Sequence, residues 1–367
     1  MSHFFIVFCV SLCLMPLRIM TQSCTGCDIT VTTSDNPITI NAPNQKVCFT
    51  GNFTFSNGIN YNNNATTVCV DNDVTFSPNF QNGTNDVVIT YDIYGIWNTL
   101  FNFSSSYTIN NYGQISPLNT ISGTLNHFSS TPIVVNNLSI ANTGTLFIGT
   151  GSTISASSLI NSGSLTVEGN LDISGNLSNN IGAGVNFAAS ASVTVGSNVI
   201  NDSNFNINGN LQVLGNFQNN TNGDITNQGQ LNIAGNYTAN DGSLCSLTCG
   251  IVNVGGNLQN NANGGIAFDG SSNCGEIGLC VQGSLSNSGL YGAGASIGCP
   301  ASCTILPIRL TYFRAYSNAD QIILNWETAS EKNNRYFSVE RSANGIDFEE
   351  VARLNGKEKT ETPTRYT

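Results

Sequence analysis

Asn161-Ser-Gly-Ser-Leu-Thr-Val-Glu-Gly-Asn-Leu171 decides how this chain folds. Its relatives run from Asn142-Thr-Gly-Thr-Leu-Phe-Ile-Gly149 through Asn204-Phe-Asn-Ile-Asn-Gly-Asn-Leu211 to Asn227-Gln-Gly-Gln-Leu-Asn-Ile-Ala-Gly-Asn-Tyr237, and Ile251-Val-Asn-Val-Gly-Gly-Asn-Leu258 is a worn copy. The glycines that close the copies stand at 149, 169, 209, 235 and 256, so the steps are 20, 40, 26 and 21 positions, the second being two turns of 20. A period of that size marks one supersecondary unit repeated.

Within each copy apolar residues alternate with Ser, Thr, Asn or Asp, and Gly-Asn corners separate the runs. This is strand chemistry without a helical period. A coil of 20 to 26 residues built this way is one rung of a parallel β-solenoid; an antiparallel sandwich of short strands is the competing fold. Alternation along a strand points Leu165, Val167 and Leu171 inward and leaves their polar neighbours in water. Corner asparagines are expected to accept left-handed backbone and to hydrogen-bond their copies on the next rung.

The repeat reaches further back. Val47-Cys-Phe-Thr-Gly-Asn-Phe-Thr-Phe-Ser matches Val68-Cys-Val-Asp-Asn-Asp-Val-Thr-Phe-Ser at an offset of 21, so the solenoid begins near residue 47. About twelve rungs to residue 300, at the ~4.8 Å strand spacing, make a rod of roughly 55 to 60 Å.

Charged residues are only 9% of the 367, and the net charge is −11. Nine of the eleven basic residues lie beyond residue 305, leaving Arg18 and Lys46 upstream. A body with one lysine cannot neutralise a run of phosphates, which excludes nucleic acid as a partner. Phe4 to Met15 has the length and apolarity of a secretory signal core and is too short to span a bilayer, so residues 1–23 are expected to be removed on export, with no transmembrane span.

Ten of the twelve cysteines follow that segment: Cys24, Cys27, Cys48, Cys69, Cys245, Cys249, Cys274, Cys280, Cys299 and Cys303. An even number in an exported chain reads as disulfides. Cys48 and Cys69 fall within reach on adjacent rungs, but Cys24 and Cys27 compete for them, and all three pairings stay open. The pairs 245/249, 274/280 and 299/303 are expected in loops just before strands, bridging locally or between successive corners.

Tyr94, Trp97, Phe101, Phe103, Tyr107 and Tyr112 make the segment from Tyr91 to His127 the most aromatic. It closes the core of an N-terminal cap spanning 24–130, or else Tyr94, Trp97, Tyr107 and Tyr112 form a sugar-contacting face. Solenoid repeats with cysteine-paired loops then fill 131–305. Asp71 and Asp73, on one face of a strand with Asn72, are the weak candidates for a calcium site; otherwise they are solvated acids. No cofactor is implied. Lyase chemistry wants a basic side chain beside acidic ligands, and residues 24–305 hold one lysine, one histidine and no arginine. Thr-x-Thr pairs at 30/32 and 143/145, the sort of array that would contact ice, do not repeat in register.

From Leu306 the texture changes to ordinary charged β-sequence, with strands expected over 308–315, 321–326, 336–341 and 348–354. Ile322, Leu324 and Trp326 alternate onto one face. The segments Leu306-Pro-Ile308, Phe313-Arg-Ala315, Leu324-Asn-Trp-Glu-Thr-Ala-Ser-Glu331, Asn333-Asn334, Phe337-Ser-Val-Glu-Arg-Ser342, Gly345 and Phe348 resemble the fibronectin type III-like module of Bacteroidetes surface and secreted proteins. The resemblance covers one sixth of the chain. It implies a partial sandwich over 306–367, type IX secretion machinery as a partner, and a secreted or outer-surface location. A whole sandwich takes about 100 residues, so the module is expected to continue past Thr367, with apolar surface beside Trp326, Phe337 and Val339 left for the missing strands. The function expected from all this is a non-enzymatic stalk or adhesin that contacts surface glycans or other extracellular surfaces. A carbohydrate-binding or carbohydrate-active β-helix is the alternative.

Overall fold

A computed structural model describes residues 24–367 except 35, 62–64, 79–87, 99–100, 103–105, 117, 247–248, 262, 268–275, 293–294, 299–307, 319–320, 342–348 and 361. The expected signal segment, Phe103, Cys274, Cys299 and Cys303 lie outside the described residues, as do the side chains of Phe101 and Cys249. Two compact units are distinguished, one of residues 21–303 and one of 304–367 together with 1–20.

The first unit is a parallel β-solenoid of about 11 turns. One face is a ladder of fourteen strands, from Ile29–Val31 to Leu290–Tyr291, all parallel and taken in chain order. From Thr153 onward a turn has three sides, as in Ser164–Val167, Asn170–Ile173 and Leu177–Asn179. Each strand pairs with its counterpart one turn later: Ser164 with Gly184, Asn170 with Ser192, Leu177 with Val199. The inward alternation is as read: Leu165, Val167, Leu171, Leu231 and Ile233 are buried between half-exposed or exposed polar neighbours. Each such aliphatic side chain contributes about 1.5 to 3 kcal/mol of hydrophobic stabilisation.

The repeated phrase does not keep to one face. Its copies at 142–149, 161–171 and 204–211 supply strands of the fourteen-stranded face, whereas Gln230–Ile233 and Cys249–Val254 pair with each other on the next face. The 26-residue step is thus one turn plus one side. What recurs is a strand, a corner and the start of the next strand, and any side of the coil can use it.

Corner asparagines do half of what was expected. Among the described residues only Asn44 and Ala267 are non-glycine residues with positive φ, so corner asparagines otherwise keep ordinary backbone. Their contribution is hydrogen bonding: Asn176, Asn198, Asn216 and Asn236 each accept, through Oδ1, from the backbone N–H of the residue one turn on, at 2.7 to 3.0 Å. Gly229 shows why glycine is needed beside them, because a Cβ there would lie 2.0 Å from the carbonyl oxygen of Gly209.

Inside the coil runs a file of buried amides. Asn161 Nδ2 donates to Asn179 Oδ1 at 2.9 Å, Asn179 to Asn201 and Asn201 to Asn219 at 2.8 Å each. The same amides also donate to backbone carbonyls, Asn161 to Gly184 and Asn179 to Asn204. Such groups are tolerated in a core only when paired, since one left unsatisfied costs about 1 to 3 kcal/mol.

The N-terminal turns are cored by rings instead. Phe49, Phe55, Phe76, Tyr91 and Trp97 are fully buried, with centroids 4.6 Å apart for Phe49–Phe55 and 5.3 Å for Phe76–Trp97. Disulfides join Cys24 to Cys69 and Cys27 to Cys48, each with 5.7 Å between Cα atoms. Cys48 and Cys69 are register partners, yet they bond outward to the 24–27 segment. Alternation turns both away from the core of their own rungs, and that segment buries them from outside. Cys245 and Cys280 are also disulfide-bonded. They stand within strands Ser243–Cys245 and Glu276–Val281, and Cys249 opens strand Cys249–Val254, so the expectation of loop positions before strands fails for these three.

The C-terminal unit is a four-stranded antiparallel sheet, and no second sheet faces it among the described residues. The separate strands expected at 321–326 and 336–341 are parts of one strand, Gln321–Arg341, flanked by Ile308–Asn318 and Glu349–Thr360. Thr364–Tyr366 pairs back onto Trp326–Thr328. Tyr366 stacks on Trp326 at 5.3 Å and meets Phe337 at 4.7 Å, so the last residues bury the two rings left for missing strands. Ile322 stands 57% exposed rather than in a core with Trp326.

Candidate functional site

The aromatic segment divides by the alternation of its strands. Trp97 and Tyr107 are core residues: Tyr91 lies edge-on to Trp97 at 5.1 Å and to Tyr107 at 5.9 Å. They fill the N-terminal cap and cannot contact a glycan, which removes two of the four sugar-contact candidates. Tyr91 also shares a buried 2.7 Å hydroxyl–hydroxyl hydrogen bond with Tyr61.

Tyr94 and Tyr112 lie outside, at the corner that follows the fourteen-stranded face. Each backbone N–H bonds the carbonyl of the turn before, Tyr94 to Val70, Tyr112 to Ile93 and Phe128 to Asn111, which places the three rings on successive rungs. Tyr94 stacks on Tyr112 at 4.9 Å and 12°, and Tyr112 on Phe128 at 5.3 Å and 17°. Phe128, 42% exposed, then tilts against Phe147 at 5.6 Å. Gly149 makes room, because a Cβ there would sit 2.9 Å from Phe128 Cδ1. Sequence reading missed Phe128 and Phe147; alignment of the corner residues across turns is the signal that would have found them.

Rung spacing of about 4.8 Å is also a ring-stacking distance. The rings therefore satisfy one another's faces, and Tyr112 has a ring on each side. Edges and phenolic hydroxyls face outward, a poor platform for stacking a sugar and a good row of hydrogen-bond donors. The Tyr94 and Tyr112 phenols are pushed up from their ordinary pKa, first by partial burial and then by the charge of Asp92. Beside them runs a polar file in which Asn110 Nδ2 donates to Asp92 at 2.8 Å and Asn126 Nδ2 donates to Asn110 Oδ1 at 2.9 Å. One position across the sheet, Thr67, Thr90, Thr108, Thr124 and Thr145 stand in one register row. The sequence concealed this row, since the spacing between its members varies from 16 to 23 residues.

Asp71 and Asp73 do not share a strand face. They occupy the turn between strands Thr66–Val70 and Val74–Phe76, where Asp71 Oδ1 accepts from the N–H of Asn72 at 3.0 Å and its carbonyl accepts from Val74. Among the described residues no group of three or more His, Cys, Asp or Glu side chains is placed to hold a metal ion. His127 is buried. Its Nδ1 faces Asn111 Nδ2 at 3.0 Å and its Nε2 the carbonyl of Thr153 at 3.2 Å, so the neutral Nε2–H tautomer fits both. Burial lowers its pKa to about 4, against which the Thr153 bond acts.

The described residues contain no helix long and apolar enough to cross a membrane. No protein-family model matches the chain, and neither the curated proteins nor the solved structures compared with it yield a match.

Proposed function

We propose that this chain is a non-enzymatic structural or adhesive rod, exported and held at or released from the cell surface, that meets glycans or other extracellular surfaces along its length. The observation that carries the reading is the unbroken fourteen-stranded parallel face. Such a face repeats its outward side chains at a fixed spacing, and a solenoid that contacts only its neighbouring turns can present an extended surface without a catalytic cleft. Many weak contacts in fixed register then add, so attachment is multivalent. Export through type IX machinery follows from the C-terminal resemblance and belongs to the same proposal.

The carbohydrate-binding alternative draws on the outer row of Tyr94, Tyr112 and Phe128 beside Asp92, Asn110 and Asn126, which offers hydroxyl, amide and carboxylate partners on successive rungs. A glycan array run beside a polysaccharide turnover assay tests both. Binding without turnover, unchanged in Asp71→Asn and Asp73→Asn, is the expected result. Turnover abolished by either substitution would replace the rod with an enzyme.

A further inference from the structure

At the corner between the second and third sides of the coil the surface recedes into a groove of about 570 Å³. Val134 stands 74% exposed at one end and Leu214 54% exposed at the other. Between them Ser155, Asp172 and Thr194 form one register row, in line with Val134 before and Gln212 after. Four rung steps separate Val134 from Gln212, about 19 Å at ~4.8 Å per rung. Ser157, Ser174 and Gly196 form the corner side of the groove. A Cβ at Gly196 would lie 2.3 Å from the Ser174 carbonyl oxygen, so no larger residue can fill the depression there.

The lining defines a ligand class. Lys46 is the one basic residue between 24 and 305, and it belongs to strand Gln45–Phe49 on the fourteen-stranded face, away from this corner. With Asp172 as its charge and no cation, the groove disfavours uronates, sulfates and phosphates. A wholly apolar ligand would strip water from Asp172 and the hydroxyls without replacing their hydrogen bonds. A neutral saccharide carries both requirements, C–H faces for the aliphatic posts and hydroxyls for the carboxylate. The volume lies within the usual range of small-ligand sites, about 300 to 1,000 Å³.

We infer that this groove binds a neutral oligosaccharide laid along the solenoid axis, with Asp172 accepting hydrogen bonds from its hydroxyls and Val134 and Leu214 packing on its C–H faces. The inference deepens the adhesive reading and rests on it. It places the sugar on a different corner from Tyr94 and Tyr112.

Affinity electrophoresis of the full chain through gels containing β-glucan, xylan or galactomannan, with polygalacturonate as the anionic counterpart, tests it. Retardation by at least one neutral polymer is expected, and Asp172→Asn should weaken it about tenfold, the scale of a lost charge-assisted hydrogen bond. Ser157→Trp changes an exposed residue, so it should fill the groove and abolish retardation without changing the melting temperature, whereas Tyr112→Ala should leave retardation intact. Retardation by polygalacturonate alone, or equal retardation of wild type and both groove variants, overturns the assignment. A chain that adheres to surfaces yet passes every neutral gel unretarded also overturns it while leaving the adhesive reading standing; a chain that adheres to nothing removes that reading instead.

Discussion

The turns before residue 127 and those after 161 close the same kind of core by opposite means. In the first, rings supply the volume and two disulfides clamp the end, Cys24–Cys69 across 45 positions and Cys27–Cys48 across 21. In the second, side chains are smaller and one inward row changes character: Ile121 and Ile140 precede Asn161, Asn179, Asn201 and Asn219 in a single register line. The comparison teaches that a buried amide is acceptable here only as part of a file, because each member supplies the donor its neighbour's oxygen needs. Asn161 begins the file with its own Oδ1 accepting from the N–H of Gly163 at 3.2 Å. At Ala239 the file is interrupted. Two turns after Asn219, the Oδ1 of Asn260 is buried and without a hydrogen-bond partner among the described residues.

The largest test of the comparison is to place a charge in the aliphatic core. Leu231→Asp buries a carboxylate with no partner and should cost at least about 5 kcal/mol. Asn232→Asp, on the outward side of the same strand, should cost under ~1 kcal/mol. Denaturant unfolding of the two variants measures this, and similar losses would contradict the alternation.

Next in size is the clamp. Removing the longer bridge with Cys24→Ser and Cys69→Ser should destabilise the N-terminal turns by about 4 kcal/mol from loop-closure entropy alone. Since each turn touches only its neighbours, amide exchange should rise from residue 28 to about 100 while 161–233 stays protected. Uniform loss of protection would mean that the two regions unfold as one.

His127 stands near the border between the regions and supplies a pH test. Its folded pKa of about 4 lies below the ordinary 6.5, so the unfolded chain binds more protons between those values. Stability from this group is full above about pH 6.5, falls as pH drops towards 4 and changes no further below. The loss is at most about 3 kcal/mol. His127→Asn, which puts an amide beside Asn111, should flatten that part of the melting temperature profile; an unchanged slope would assign it to the carboxylates.

The smallest expected effect is a gain. Ala239→Asn would restore the missing member, donating to Asn260 Oδ1 and accepting from Asn219, and should stabilise the chain by about 1 to 2 kcal/mol. A loss of stability in thermal melts would show that the interruption is required by packing.

Much of this fold was legible because alternation and corner chemistry are local. Leu165, Val167 and Leu171 could be turned inward from a single strand's pattern, and the 21-residue offset of Val47 and Val68 placed two rungs that do pair. The C-terminal strands were readable as strands, but not as one ribbon, since Asp and Gly punctuation is absent between 327 and 335 and nothing local says where a continuous strand changes partner. The candidate site was less legible. Tyr94 and Trp97 are three residues apart and equally aromatic, yet one is stacked outside and the other buried, and only the corner between them decides which.

The sequence by itself determined that this chain coils in parallel rungs, because period-2 apolarity broken by Gly-Asn corners every six or seven residues permits little else. Register across turns was left to the tertiary structure. It decided that Cys48 bonds Cys27 rather than Cys69, that five threonines share a row, that rings at 94, 112 and 128 stack, and that Val134 and Leu214 flank a groove. Each of these depends on which residues lie one turn apart, and turns of 16 to 23 residues along the threonine row make that distance unreadable from any single stretch.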